Sequence, residues 1–152
     1  SLLEVSEGKR RQVEQMGSIS AQFIFAQMAE TNVEESWKAV ERYFPPNGDP
    51  QRMRYIRRAK QRLADWYLER EEYAEALPLY AELAHVEATE TQFRRIGEAG
   101  QAVIYDLQRQ PEKVKPLLAS LLAGPAAPID DSTLAPRIEA LSKKYFPQGA
   151  GP

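Results

Sequence analysis

Cysteine is absent from this chain of 152 residues, and histidine occurs once, as His85. Disulfide bonds, thiolate metal sites and cysteine nucleophiles are therefore excluded within the sequence. His85 has no second histidine to form a metal site, so we interpret it as a capping or solvated residue at a helix end. No phosphate-binding loop, dinucleotide glycine pattern or G-x-S-x-G motif occurs. We therefore predict a protein that is not an enzyme, with no catalytic, cofactor-binding or metal-binding residues.

Long apolar runs are also lacking. The longest candidate, residues 117–129, is interrupted by Gly124, Pro125 and Pro128, and a membrane span needs ~18 apolar residues, so we predict no membrane span in this segment. The first residue is Ser rather than Met, so we interpret the sequence as a piece of a longer chain. The cytoplasm is slightly favoured as its compartment, although an upstream anchor or signal would also fit.

Charge of one sign is not in excess. The net charge is −2 and the pI is near 5.6, so the chain as a whole is not built to neutralise phosphates or anionic lipid. Hydrophobic residues make up 43% and charged residues 28%, as in ordinary folded domains. We therefore predict one domain over residues 1–152.

Strand signals are missing, because apolar and polar residues do not alternate over any long stretch. Apolar residues instead recur at helical spacing, and proline, glycine and N-capping residues separate the segments. The predicted segments are a frayed N-terminal helix (1–17), hairpin 1 (18–44), hairpin 2 (50–85), hairpin 3 (90–123) and a capping helix (131–146). Thr31 and Asn32 are predicted N-caps of the second helix of hairpin 1, and Asp130, Asp131, Ser132 and Thr133 are candidate N-caps of the capping helix.

Hairpin 2 has the clearest internal pattern. Small residues, Ala64 and Ala76, stand where two helices would approach each other, and the large aromatics Tyr67, Tyr73 and Tyr80 stand beside them. Leu63-Ala64-x2-Tyr67, followed after nine residues by Ala76-x3-Tyr80, resembles the tetratricopeptide repeat. Lys60 and Ala88 replace the usual Trp and the closing Pro of that family.

A second copy of the pattern follows further along the chain. Ala102-x2-Tyr105 matches Ala64-x2-Tyr67, and at the same offset residues 116–121 match residues 78–83, each beginning Pro-Leu. Within the same stretch, Gly97 and Gly100 are inside a predicted helix, where we interpret them as sites of close helix packing. One hairpin cannot bury both of its faces, so such copies must stack.

The resemblance implies an all-α array of about three antiparallel helical hairpins plus a C-terminal capping helix. It also implies a non-catalytic scaffold, within a larger bacterial protein, for a protein or peptide segment or for another domain of the same chain. In that family the first helix of each hairpin lines a groove. The corresponding positions are Arg58, Gln61, Asp65, Leu68 and Glu69, then Ile96, Ala99, Val103, Asp106 and Leu107. The second group is mostly apolar, so we expect either the last helix or a partner to cover it.

A basic stripe provides the alternative function. Arg54, Arg57, Arg58 and Arg62 share one face of a predicted helix, with Gln61, Asp65 and Glu69 on the same arc. The stripe is compatible with a solvated face, an acidic protein partner or a nucleic acid. Interleaved exposed aromatics and overall positive charge are both lacking, which makes nucleic acid the least favoured of the three.

Overall fold

The computed structural model describes residues 12–123 and 128–148. Seven helices and no strand occur in those residues, which confirms the all-α prediction for this part of the chain. The helices are α1 (Ile19–Met28), α2 (Val33–Tyr43), α3 (Pro50–Glu69), α4 (Tyr73–Ala84), α5 (Thr91–Leu107), α6 (Pro111–Leu122) and α7 (Leu134–Tyr145). Of the predicted frayed helix over 1–17, residues 1–11 lie outside the described residues, and residues 12–17 are not helical.

The chain divides into two compact units, Ser1–Leu63 and Ala64–Pro152. The boundary lies within α3, so unit 1 holds α1, α2 and the first part of α3, and unit 2 holds the rest. Each unit has buried apolar residues of its own, for example Val40 and Ile56 in unit 1 and Leu83 and Ile104 in unit 2.

Unit 1 is built around aromatic contacts between its helices. Ser18 caps α1 through its side chain, which accepts a hydrogen bond of 3.2 Å from the Ala21 amide. The Phe23 ring on α1 meets the Trp37 ring of α2 edge-on at 5.2 Å between centroids, and the Tyr55 ring of α3 at 5.7 Å. Such edge-to-face pairs add to the stabilisation from the apolar area they bury. A single side chain of α1 thereby contacts both other helices of this unit.

A buried glutamine fastens the segment before α1. The Gln22 side chain is 0% exposed, accepts a hydrogen bond from the Met16 amide at 2.7 Å and donates one to the Glu14 carbonyl at 3.1 Å. The Tyr43 hydroxyl of α2 donates to the Val13 carbonyl of the same segment. A buried amide group must be hydrogen-bonded to be tolerated, and here the bonds hold irregular backbone in place.

The start of α2 is where the sequence indicates, but its cap differs from the prediction. Asn32 occupies the N-cap position in the left-handed region, with φ 57°, and its side chain makes no capping hydrogen bond. Its carbonyl instead accepts hydrogen bonds from both the amide and the hydroxyl of Ser36. Asparagine is suited to this position because it tolerates positive φ, rather than because it caps the helix.

Unit 2 depends on a close approach of α4 and α5. A Cβ atom added to Gly97 would lie 2.2 Å from the Ala84 backbone nitrogen, and one added to Gly100 would lie 2.2 Å from the Tyr80 ring. Both distances are far inside van der Waals contact, so only glycine fits at either position. The interpretation of the glycine pair as close packing is confirmed. Ala64 and Ala76 are likewise 0% exposed.

Two turns of unit 2 have the same backbone structure. Glu71 and Arg109, which follow α3 and α5, have positive φ angles of 61° and 59°. The amides of Glu71 and Arg109 each donate a 3.0 Å hydrogen bond to the carbonyl three residues earlier in the chain. The amides of the residues that follow them, Glu72 and Gln110, each donate a 2.9 Å hydrogen bond to the carbonyl five residues earlier. This pair of bonds is a Schellman closure. Glu71 and Arg109 are separated by the same offset as Ala64 and Ala102, so the repeat visible in the sequence has a counterpart in the backbone.

The last helix begins at a well-formed cap. The Asp131 carboxylate accepts hydrogen bonds from the Thr133 amide at 2.9 Å and the Leu134 amide at 2.8 Å. Asp131 is thus the side chain that caps α7, one of the residues predicted for that role. Its position places Leu134, Ile138 and Leu141 on the buried side of the helix.

Candidate functional site

The ten predicted groove residues differ widely in exposure. Those with buried side chains are Gln61, Asp65, Leu68, Ile96, Ala99 and Val103. Arg58 and Asp106 are half-buried, while Glu69 and Leu107 are exposed, Leu107 by 43%. A partner could directly contact only these last four side chains. That they bind one stays a prediction.

Helix α7 forms hydrogen bonds with one of the predicted groove residues in unit 2. The Asp106 carboxylate accepts hydrogen bonds from the Lys144 ammonium group at 2.8 Å and from the Tyr145 hydroxyl at 2.9 Å. Burial, and then the hydrogen bond to Asp106, raises the pKa of Tyr145 above its usual value. The last helix therefore contacts Asp106, one of the ten predicted groove residues.

A buried phenol–carboxylate pair joins α3 to α4 within unit 2. The Tyr80 hydroxyl donates a 2.5 Å hydrogen bond to the Asp65 carboxylate, and the two residues are 0% and 7% exposed. Burial, followed by the negative charge of Asp65, raises the pKa of Tyr80 far above its usual value, and Asp131 adds to the increase. The phenol therefore stays neutral and acts as a donor to a carboxylate that is almost out of water.

The sequence places Asp65 and Gln61 on the polar outer side of their helix, and this placement is wrong. Both side chains are buried. Helical periodicity identifies the side of a helix with most apolar residues, but it does not show whether a second side is also covered. Tyr80 stands 15 residues beyond Asp65, and no pattern in a single sequence pairs them.

The basic stripe lies on the part of α3 that belongs to unit 1. Arg54 is exposed, whereas Arg57, Arg58 and Arg62 are half-buried. The Arg58 guanidinium donates a 2.6 Å hydrogen bond to the side-chain oxygen of Gln61, which is 0% exposed. Arg58 thus satisfies a buried amide, a structural task that does not require a ligand.

A cavity of about 690 Å³ opens in unit 2 beside α6 and α7. It is lined by Arg95, Leu121, Leu122, Pro128, Ile129, Ala135, Pro136, Ile138, Glu139 and Ser142. Most of these residues are apolar, and the Arg95 guanidinium at its wall donates a 3.1 Å hydrogen bond to the Leu121 carbonyl. The volume and the lining suit apolar side chains rather than a charged metabolite. Sequence reasoning missed this cavity because its walls come from separate segments.

Helix α1 exposes apolar side chains in unit 1. Among the large hydrophobic residues that are exposed in the described structure, three belong to α1: Ile24, Phe25 and Met28, at 54%, 41% and 75%. The fourth is Leu107 on α5. Phe23 and Ile24 are adjacent apolar residues of α1, yet the structure places Phe23 against Trp37 and leaves Ile24 in solvent.

Within residues 12–123 and 128–148, no group of three or more His, Asp or Glu side chains is placed to hold a metal ion. In the same ranges, no helix combines the length and the apolar character needed to cross a bilayer. No protein-family model, curated protein or solved structure matches the chain.

Proposed function

We propose that this chain is a non-catalytic interaction scaffold whose helical hairpins resemble tetratricopeptide repeats, and that it binds a protein or peptide segment. The supporting observation is the pair of equivalent turns at Glu71 and Arg109, which have the same pattern of hydrogen bonds and a positive φ angle at the same position. Repeated hairpins of this kind present extended surfaces made of side chains from successive helices, which suits them to long, irregular partners.

The accessible part of the proposed surface in unit 2 has a mixed character. Glu69 at the end of α3 and Leu107 at the end of α5 are exposed, and each stands two positions before the left-handed residue of its turn. These two residues, one charged and one apolar, lie at the C-terminal ends of α3 and α5, the first helices of two consecutive predicted hairpins. Such a pair suits a partner segment that carries a basic and an apolar side chain.

The proposal can be tested with a displayed library of random peptides. We expect peptides enriched for basic and apolar residues, whose affinity falls at least ~tenfold in Glu69→Lys and in Leu107→Asp. Lys115→Glu is the matched control, because Lys115 is also exposed but lies on α6, the second helix of its hairpin. Failure to select any peptide, or selected peptides that bind both groove variants as well as the wild type, would overturn the proposal.

Nucleic acid is the competing outcome of the same test. A fluorescent single-stranded oligonucleotide should bind weakly or not at all if the protein-scaffold proposal is correct. Tight binding that weakens steeply with salt and is lost in the double variant Arg54→Glu, Arg58→Glu would assign the function to the basic stripe. A circular dichroism spectrum of that variant must match the wild type, since Arg58 also holds Gln61.

A further inference from the structure

One side of α1 is apolar and open to solvent. Ile24, Phe25 and Met28 are exposed by 54%, 41% and 75%, and Ala21 falls in the same arc at 100° per residue. We call these four residues the α1 face. The sequence from Ser18 to Ala29 contains no charged residue, so the α1 face has no lysine or glutamate to keep it in water.

An uncharged surface helix of this kind is unusual. Soluble proteins place charged and polar residues on the outer side of a helix, and a helix that is apolar all round is normally buried. The opposite side of α1 is already occupied, because Gln22 and Ala26 are buried and Phe23 contacts Trp37. The α1 face is therefore a second apolar surface on the same helix.

We propose that the α1 face binds the α1 face of a second copy of this chain, with the two helices antiparallel about a two-fold axis. An axis that passes between Ile24 and Phe25 places Ile24 of each copy opposite Phe25 of the other. The same axis places Ala21 opposite Met28, twice. A small residue thus faces a long one at both ends of the contact, which is the complementarity that close helix packing needs.

Electrostatics favour the same arrangement. Antiparallel helices align their dipoles favourably, and the exposed Glu30 stands just beyond the C-terminal end of α1. In the antiparallel pair, Glu30 comes beside the N-terminus of the other copy's α1, where a negative charge is stabilising. The α1 face of a second copy is also uncharged, so the contact buries no charge without compensation.

The size of the contact sets its strength. The exposed area of the α1 face is on the order of 300 Å² per chain, since one large side chain accounts for at most ~150–250 Å². A stable interface buries roughly 800 Å² per partner. The inferred dimer is accordingly weak and reversible, and it forms at high protein concentration.

Sedimentation velocity over a wide range of concentration tests the association. We expect the wild type to shift from monomer to dimer, and Phe25→Asp to raise the dissociation constant at least ~tenfold. Leu107→Asp is a closely matched control, because Leu107 is 43% exposed and Phe25 41%, and it should leave the dimer unchanged. A wild type that stays monomeric throughout overturns the inference, as does a dimer that survives Phe25→Asp.

Disulfide crosslinking tests the register of the two helices. The chain has no native cysteine, so every disulfide must form between introduced cysteines. A mixture of Ala21→Cys and Met28→Cys chains of different mass should form the mixed disulfide in excess over either symmetric one. Ser120→Cys, an exposed site on α6, should crosslink only at the background rate. The antiparallel pairing is overturned if Ala21→Cys chains or Met28→Cys chains crosslink mainly with chains of their own kind. It is also overturned if Ser120→Cys chains crosslink as efficiently as the mixed pair.

Binding to phosphatidylcholine vesicles distinguishes a lipid surface from a second copy as the partner of the α1 face. If a monomeric wild type binds such vesicles and Phe25→Asp does not, the α1 face serves a lipid surface and the dimer is rejected. This inference concerns unit 1 and does not use the groove residues of the proposed scaffold. Loss of peptide binding in Leu107→Asp together with an unchanged dimer would support both proposals, and either can fail without the other.

Discussion

The first and the last helix of the described residues, α1 in unit 1 and α7 in unit 2, differ in how they bury their apolar side chains. In unit 2, the apolar residues Leu134, Ile138 and Leu141 of α7 are buried, and Lys144 of the same helix donates a hydrogen bond to Asp106. In unit 1, α1 buries one side and leaves three large apolar side chains in solvent on the other. The two helices are of similar length and both contain apolar residues. What distinguishes them is charge, because α7 has two lysines in its last turn and α1 has no charged residue at all.

The interiors differ as well. Unit 2 contains glycines whose missing side chains admit a neighbouring helix, together with a buried phenol–carboxylate pair. Unit 1 contains a buried amide that holds irregular backbone, and its Gly17 has open space around the position of a Cβ. We therefore expect substitutions to cost more in unit 2 than in unit 1, and the following variants test this difference.

The largest effect is expected for Gly97→Ala. The new methyl group would meet the backbone of Ala84 and the Tyr80 carbonyl, neither of which can rotate away. The resulting overpacking should lower the free energy of unfolding by about 2–3 kcal/mol, despite the ~1 kcal/mol by which alanine is favoured over glycine in helices. Urea denaturation measures the change. Gly17→Ala is the control and should be nearly neutral, so an equal loss at both glycines would contradict the contrast between the units.

A somewhat smaller effect is expected for Tyr80→Phe. The substitution removes the donor to Asp65, a hydrogen bond to a charged group, and should cost about 1–3 kcal/mol at neutral pH. Chemical denaturation of both proteins in the same buffer gives the difference. Tyr73→Phe, at a half-buried tyrosine at the start of α4, is the control and should change stability little.

The same variant should change the response to alkaline pH. Because burial and Asp65 raise the pKa of Tyr80 in the folded state, its contribution is complete below the ordinary tyrosine pKa of 10.0. The contribution decreases as the pH rises above that value, since the unfolded phenol ionises and the folded one does not. Wild-type stability should therefore decrease more steeply above pH ~10 than that of Tyr80→Phe. Equal slopes for the two proteins would mean that Tyr80 is not held neutral.

An intermediate effect is expected for Gln22→Ala in unit 1. The Met16 amide and the Glu14 carbonyl both lose a partner, which should cost about 1–2 kcal/mol and accelerate hydrogen exchange at the Met16 amide. Gln27→Ala on the same helix is exposed and serves as the control. Exchange at Met16 that is equally fast in the wild type would show that the glutamine does not fasten this segment.

The smallest effect is expected for Lys144→Ala. The ion pair with Asp106 involves a lysine side chain that is 62% exposed, so it should contribute no more than ~0.5 kcal/mol and weaken in salt. Thermal unfolding at low and high salt measures both effects. Lys143→Ala, which removes an exposed pair with Glu139, is the control. A loss well above that of the control would mean that α7 depends on this contact more than on its apolar residues.

Helical content and close packing could be predicted from the sequence because they depend on local patterns. Apolar spacing indicated the helices, and Gly97 and Gly100 indicated a helix approach that the structure confirms. The two matching sequence patterns could be found because their alanine, tyrosine, proline and leucine residues recur at one constant offset along the chain. These features each involve residues whose spacing along the chain is regular.

The features that could not be predicted depend on which helix faces pack against each other in the folded chain. Asp65 and Gln61 look like solvent-facing residues until a second side of α3 is covered, and only the folded chain shows that it is. Ile24 and Phe25 are apolar residues of a helix, and only the structure shows that no described segment covers them. A pattern in one helix defines its faces, but the neighbours of each face are set by long-range packing.

The paired closures at Glu71 and Arg109 have a consequence for how this chain can change in length. Both loops have a residue with positive φ at the same position and the same pair of hydrogen bonds, so the chain could be joined from one loop to the other without a change in the backbone of the turn. In the hairpin array that we propose, tandem duplication or deletion of the segment between the two loops would therefore be the easiest change in length to accommodate. Insertions of other lengths would have to be accommodated in the loops between helices.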